Sequence, residues 1–332
     1  GIVLIGLIFI AFMFVNQKEQ EAIERANQAQ QTSAQENEII SNSSIISSSD
    51  TSTNDFNDVI LSKDNIANTD SIRGLSAVQL ARRKQKFGIF HPALEGEKKY
   101  FYLENDKIKI KFSNIGARIV EVFLVQKDEN GNYIYKTHTD FVNNQNNPIQ
   151  LFEEQTSNQE LSFNIKDEFG DYIPVSTKNL FFENTLENDS TLLFRLKSEN
   201  PQKSLVFRYL LPSKSFHVNY SIDYSSVEGE IDLGSSKLDW SMKGLSTEKL
   251  ADEERFTCSA MFRYDGETRD YLSERSDDEE KIDGNLDWLA FKYKFFSSIL
   301  ITDGGKYEGE VSQVQLPDET DYTIAYSSSL YI

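Results

Sequence analysis

The stretch Lys107–Phe112, KIKIKF, alternates without exception: Ile108, Ile110 and Phe112 on one side, Lys107, Lys109 and Lys111 on the other. A period of two sends successive side chains to opposite faces of a strand, and no helix buries such a pattern on one face. Short strand-like runs recur along the chain. LSFNI, NLFFEN, TLLFRLK, LVFRYLL, FHVNYSID and KLDWSM follow one another, near the spacing of 8–12 residues expected of an all-β sandwich. RIVEVFLVQ is apolar on both faces for most of its length, as in a strand buried on both sides. It runs into DENGNYIYK, where Asn130-Gly131 is placed to supply the positive-φ residues of a tight hairpin turn. In SFHVNYSID, Phe216, Val218, Tyr220 and Ile222 face one way, which puts His217, Asn219 and Ser221 on a solvated face. Long amphipathic helices are hard to find beyond residue 100, and the 23 Phe and 15 Tyr suit a sheet core. The expectation is a mainly β domain.

Before that domain the chain changes character twice. Residues 1–15, GIVLIGLIFIAFMFV, are all apolar or Gly. A bilayer span takes roughly 20 residues, and because the chain begins at Gly1 rather than Met, a few residues upstream would complete one. A cleaved signal peptide is the alternative. However, no A-x-A site follows directly, and the run continues into NQKEQEAIERANQAQ, a segment of helical composition. Residues 1–26 are therefore expected to be an N-terminal transmembrane helix with a polar extension, residues 1–15 lying in the lipid bilayer. Residues 27–73 are rich in Ser, Thr, Asn and Asp without periodic apolar positions. Such a segment buries too little to offset its ordering entropy, so a flexible linker is expected. Residues 74–94 hold LSAVQLARRKQKFG, a short basic helix with Ser76 as cap and Gly88 as stop. Its cluster Arg82, Arg83, Lys84 and Lys86 reads as a solvated face, or as a contact for anionic lipid. Residues 95–332 form the β domain.

Charge and residue chemistry narrow the function. The formal net charge of -19 excludes nucleic acid as a partner, since phosphates are repelled. The single cysteine, Cys258, allows no intrachain disulfide and lies far from any histidine. His91, His138 and His217 have no metal-ligand spacing. The stretch SERSDDEEKIDGN is acidic and breaks the strand rhythm, so an exposed loop is expected; Asp277, Asp278, Glu279 and Glu280 lack the alternation and central Gly of a calcium loop and read as a solvated charge run. There is no nucleophile elbow, phosphate loop or zinc-protease helix. Tyr264, Tyr271 and Trp240 are available to line a sugar site, with core packing as the alternative. No catalytic, cofactor-binding or metal-ligating residue is assigned, and no cofactor is expected.

The densest aromatic run is NLDWLAFKYKFFSSILI, from Asn285 to Ile301. Leu289, Phe291, Tyr293 and Phe295 alternate with Ala290, Lys292 and Lys294, as in a strand, while Trp288, Phe291, Phe295 and Ile299 fit a helix face. Core packing is expected for this run, Trp288 included, with Lys292 and Lys294 reaching solvent.

These features together resemble one family. Gly116 with Ile119 and Leu124 downstream resembles its first strands. Trp288, Lys294, Phe295 and Phe296 resemble its Trp–apolar–Lys/Gln–x–Tyr/Phe–Phe signature, and the terminal YSSSLYI its last ectodomain strand. With the anchor IVLIGLIFIAF, this is similar to the bacterial YidC-type membrane protein insertases that carry a large periplasmic domain. The resemblance implies a β-supersandwich similar to galactose mutarotases. It implies a place in the bacterial inner membrane with the domain in the periplasm, and an insertase core of membrane helices following Ile332. It further implies a scaffold and interaction role without enzyme activity, with Sec translocon components and nascent inner-membrane proteins as partners. The residues alone leave open a membrane-anchored carbohydrate-binding or carbohydrate-active protein, or a plain anchored envelope protein.

Overall fold

The described residues open with α1 (Ala77–Phe87), which stops where the sequence places a stop. Gly88 follows at φ +49, and a Cβ there would lie 2.8 Å from the Lys166 carbonyl oxygen, so glycine is required both for the conformation and for the close approach. The chain, a computed structural model, is described over residues 77–332 apart from 140–144, 168, 248–250, 267 and 318–320, with only the backbone of 233, 251, 252 and 268. The expected transmembrane helix and extension over 1–26, the linker over 27–73 and the Ser76 cap lie outside the described residues. Among the described residues no helix is long and apolar enough to cross a membrane.

A 3-10 segment, Gly88–Leu94, buries Phe90 and Ala93 and leads into the strands. β1 (Tyr100–Glu104), β2 (Ile108–Ser113), β3 (Arg118–Lys127) and β4 (Tyr133–Tyr135) form an antiparallel sheet in that order. β5 (Thr137–Thr139) and β6 (Asn146–Pro148) make a small ribbon. After β7 (Ser157–Lys166) and β8 (Tyr172–Ser176) come β9 (Phe182–Asn188), β10 (Thr191–Leu196), β11 (Val206–Leu210) and β12 (Asn219–Asp223), a second four-stranded sheet ordered β12-β11-β10-β9. The 15-residue β13 (Ile231–Leu245) precedes the short helix α2 (Ala251–Arg255). Then follow β14 (Ser259–Tyr264), β15 (Thr268–Tyr271), β16 (Asp278–Ile282), β17 (Leu286–Lys292), β18 (Ser297–Ile301), β19 (Glu308–Gln315) and β20 (Tyr322–Tyr331). They complete a six-stranded sheet, β16-β19-β20-β13-β7-β8, and a four-stranded one, β15-β14-β17-β18. The domain is mainly β, as its periodicity predicts.

Aromatic contacts show how the sheets face each other. Phe101 and Phe112 meet Phe194, and Phe112 lies 4.9 Å from Tyr209, joining the first sheet to the second. Trp240 of β13, Phe291 of β17 and Tyr326 of β20 form a stack at 4.2 and 4.8 Å, joining the six-stranded sheet to β15-β14-β17-β18. Offset stacking of this kind adds to the burial of the rings.

Ile108, Ile110 and Phe112 are buried, as the alternation of KIKIKF requires. The turn that follows is built on a left-handed pair, Gly116 (φ 73) and Ala117 (φ 50). The Gly116 N–H donates to the Leu180 carbonyl at 2.9 Å, and the buried Ala117 carbonyl accepts from the Tyr209 hydroxyl at 2.7 Å. A non-glycine residue in this region is held there by its surroundings.

Several expectations need correction. SERSDDEEKIDGN is not a loop throughout: Asp278–Ile282 is the edge strand β16, because Ile282 anchors it inward while Glu279 and Lys281 on the other face are exposed. The turn at Asn130-Gly131 uses one positive-φ residue, Gly131 (φ 82), and Asp128 closes it by accepting from the N–H groups of Asn130 and Asn132. Phe216 lies before β12 begins and is exposed, whereas Val218, Tyr220 and Ile222 pack on the core as expected. Within the aromatic run, Leu289, Phe291 and Tyr293 are buried, but Phe295 is 57% exposed in the β17–β18 turn and Trp288 lies half-buried on the opposite face. The period-two reading holds and the helical one does not.

Candidate interaction surface

The titratable residues singled out by sequence do not converge. His91 is mostly buried beside Glu199 at 3.8 Å, and burial lowers its imidazole pKa against the pull of that carboxylate. His138 lies on β5, and His217, just before β12, is exposed. No group of three or more His, Cys, Asp or Glu suited to a metal occurs among the described residues. Cys258 is fully buried, its thiol pKa is raised by burial, and its Sγ donates to the Glu254 carbonyl at 3.3 Å. The three aromatics considered for a sugar site are dispersed. Trp240 stacks on Phe291 inside the sandwich, Tyr264 is half-buried against Phe262, and Tyr271 is exposed on the other face of its sheet. The basic helix α1 is docked rather than free-standing: Arg83 pairs with Glu95 and Lys84 with Glu199, both at 2.5 Å.

One polar groove opens on the outer face of the six-stranded sheet, about 360 Å³ in volume. Glu279 and Lys281 of β16, Glu310 and Ser312 of β19, and Ser327 and Ser329 of β20 line it. Alternation places them there, since their neighbours Val311, Ser328 and Leu330 are buried. The groups are largely satisfied by each other. Ser312 and Ser327 share a hydrogen bond of 2.8 Å, Tyr331 donates to Glu310 at 2.7 Å, and Ser329 donates to Asp239. The groove offers acceptors and hydroxyls but no nucleophile paired with a base. Its sequence signal was YSSSL, read only as a strand.

A second surface is apolar and was not foreseen. On β15-β14-β17-β18 the register aligns Tyr271, Met261, Ala290 and Ile299 in one row across the sheet, and Arg263, Trp288 and Ile301 in the next. Directly opposed residues share a face, here the outer one: Tyr271 is 61%, Ile299 54% and Ile301 60% exposed. The opposite face carries Leu289, Phe291 and Phe262 into the core. Cations surround the patch. Arg263 pairs with Asp287 at 3.3 Å, and Lys292 donates to the Thr257 carbonyl at 2.7 Å. The signal available in the sequence was SSILI, with isoleucines at alternate positions and no charge.

No family model matches the chain. Curated relatives do. A membrane protein insertase YidC of Phocaeicola vulgatus is 27% identical over 73% of this chain and 36% of its own length. One from Parabacteroides distasonis is 27% identical over 92% of this chain and 44% of its own, and one from Bacteroides fragilis 21% over 99% and 47%. The chain thus spans less than half the length of these curated relatives. Solved structures with a loosely similar arrangement include a galactose mutarotase-like protein from Lactobacillus casei, 11% identical, TM-score 0.37, covering 70% of this chain and 87% of that one. A galactose mutarotase related enzyme from Lactobacillus acidophilus is 12% identical with TM-score 0.33, covering 69% and 84%. By sequence, this chain is similar over most of its length to the YidC-type membrane protein insertases, the family its own residues resemble.

Proposed function

We propose that the chain is the anchor and large periplasmic part of a YidC-type insertase of the bacterial inner membrane, and that it acts by binding and positioning rather than by catalysis. The observation that carries this reading is the alignment of 92–99% of the chain with under half of each of two insertases. In this reading residues 1–26 anchor the protein, 27–73 link, 74–94 lead in, and 95–332 form a β-supersandwich. The packing of the six-stranded sheet against β15-β14-β17-β18 supports that fold. The partners are nascent inner-membrane proteins and components of the Sec translocon. An insertase lowers the cost of moving polar groups into lipid, several kcal/mol for each unsatisfied group, without covalent chemistry. The dispersal of histidine, cysteine and aromatic candidates is compatible with a domain that holds partners.

The test is depletion of the gene product in its host, followed by protease mapping of small inner-membrane proteins. Accumulation of uninserted substrate, reversed by the intact gene, is the expected result. Normal insertion throughout depletion refutes the reading. Photo-crosslinkers placed over 95–332 report separately on the Sec components, and the absence of any translocon adduct removes that partner from the proposal.

A further inference from the structure

Sheet edges are dangerous because their free N–H and C=O groups template pairing, and proteins blunt them with charge, proline or brevity. The edges of this domain follow that rule with one exception among the described strands. β16 carries Asp278–Lys281, β15 Arg269 and Asp270, β9 Glu183 and Glu187, β12 Asp223, β1 Glu104 and β8 Pro174, while β4 is three residues long. The small ribbon has three-residue strands. β18, Ser297–Ile301, has no charge, no proline and no glycine, although the chain as a whole carries -19.

Its edge is also open. Tyr293 and Phe296 exchange hydrogen bonds across the turn, and the Thr302 N–H donates to Asp287. Alternation along an antiparallel ladder then turns Ser298 and Leu300 toward β17, and turns the N–H and C=O groups of Ser297, Ile299 and Ile301 away from it. No partner for these outward groups occurs among the described residues.

We propose that β18 is a homotypic interface, at which a second copy of this chain pairs antiparallel about Ile299 and joins two four-stranded sheets into one. Three observations favour a second copy over another partner. The uncharged strand is where two copies of a strongly acidic chain meet with least repulsion. The flanks are oppositely charged, with Lys294 before the strand and Asp303 after it, and a two-fold axis at Ile299 sets the Lys294 end of each copy beside the Asp303 end of the other. Ile299 of one copy then opposes Ile299 of the other on the outer face, with each Ile301 beside Ser297 of the other copy, continuing the apolar patch of Trp288, Met261 and Tyr271 across the axis. The pairing is independent of the insertase reading.

The test uses the full chain in mild detergent micelles with single introduced cysteines, the native Cys258 being buried. A residue on the axis opposes itself with Cα atoms roughly 5.5 Å apart, within disulfide reach. Ile299→Cys is therefore expected to give a covalent dimer on oxidation. Ile301→Cys alone should not, because its counterpart lies roughly four residues along the ladder, about 13 Å away. A mixture of Ser297→Cys and Ile301→Cys should crosslink again. Ile299→Lys, at an exposed position, should abolish the dimer in sedimentation while leaving the melting transition in place. Failure of Ile299→Cys to crosslink overturns the proposal. So does equal crosslinking at 299 and 301, which indicates contact without register, and so do adducts only to other proteins, which would make the edge a site for a foreign strand.

Discussion

Phe291 and Trp288 lie three residues apart on β17 and face opposite ways, so truncating each to alanine separates core from surface within one strand. Phe291 is fully buried, opposes Ala260 across the sheet, and is stacked between Trp240 at 4.2 Å and Tyr326 at 4.8 Å. Removing a core phenylalanine costs about 3–5 kcal/mol, and the loss of two stacked neighbours places Phe291→Ala at the upper end of that range. Trp288 is half-buried on the outer face beside Ile301 and Arg263, so most of its loss is partial burial, about 1–2 kcal/mol. Urea unfolding followed by circular dichroism checks the order. A difference near 2–3 kcal/mol corresponds to a midpoint gap of about 1 M. The chain has only two tryptophans, so near-ultraviolet signals from Trp240 should also change in Phe291→Ala and persist in Trp288→Ala. If Trp288→Ala destabilises as much as Phe291→Ala, the assignment of faces along β17 is wrong.

The left-handed Ala117 makes a second prediction: Ala117→Gly is neutral or stabilising, where the same exchange in an ordinary strand costs about 0.5–1 kcal/mol. Tyr209→Phe leaves the buried Ala117 carbonyl without its donor and costs about 1–3 kcal/mol, measured by the same unfolding assay. Glu154 is partly buried, which opposes its ionisation, yet hydrogen bonds from Lys98 and Tyr100 outweigh that and hold its pKa below the ordinary carboxylate value. Its contribution is present above the unfolded-state pKa and is lost as pH falls through the folded one, so stability declines below about pH 4 and Glu154→Gln flattens that decline. His91 is kept neutral by burial, with a lowered pKa. The stability it confers is full above its ordinary pKa and falls as pH drops from about 6.5, a slope that His91→Phe should remove in melts across pH 5–8.

Much of the fold was legible because burial acts through alternation. KIKIKF became a strand with Ile108, Ile110 and Phe112 inward as expected, and LSFNI, TLLFRLK and LVFRYLL became strands as well. What periodicity could not supply was the identity of the second face. In the run from Asn285 to Ile301 it separated Leu289 and Phe291 from Ala290 and Lys292, but Trp288 and the two isoleucines share the outer side with Lys292. Composition suggested that so aromatic a stretch is all core. Only the register of four strands reveals an apolar surface there, because its members come from residues 261, 271, 288, 299 and 301. The acidic stretch misled for a related reason. An edge strand tolerates charge on its outer face, so Asp278–Ile282 looks like a loop until Ile282 is seen to be buried. The polar groove was invisible for the same cause, being assembled from three strands distant in sequence.

The docking of α1 has a mechanical consequence. None of its residues is fully buried; Phe87 packs on the edge of the core, and two ion pairs, Arg83–Glu95 and Lys84–Glu199, both partly exposed, add to its attachment. Such pairs are worth at most about 1 kcal/mol each and weaken as salt rises. The helix is about 16 Å long while wound, and the same 11 residues pulled straight reach about 36 Å. Once those pairs are screened by salt, unwinding α1 would lengthen this stretch by about 20 Å, a limit set by those two lengths.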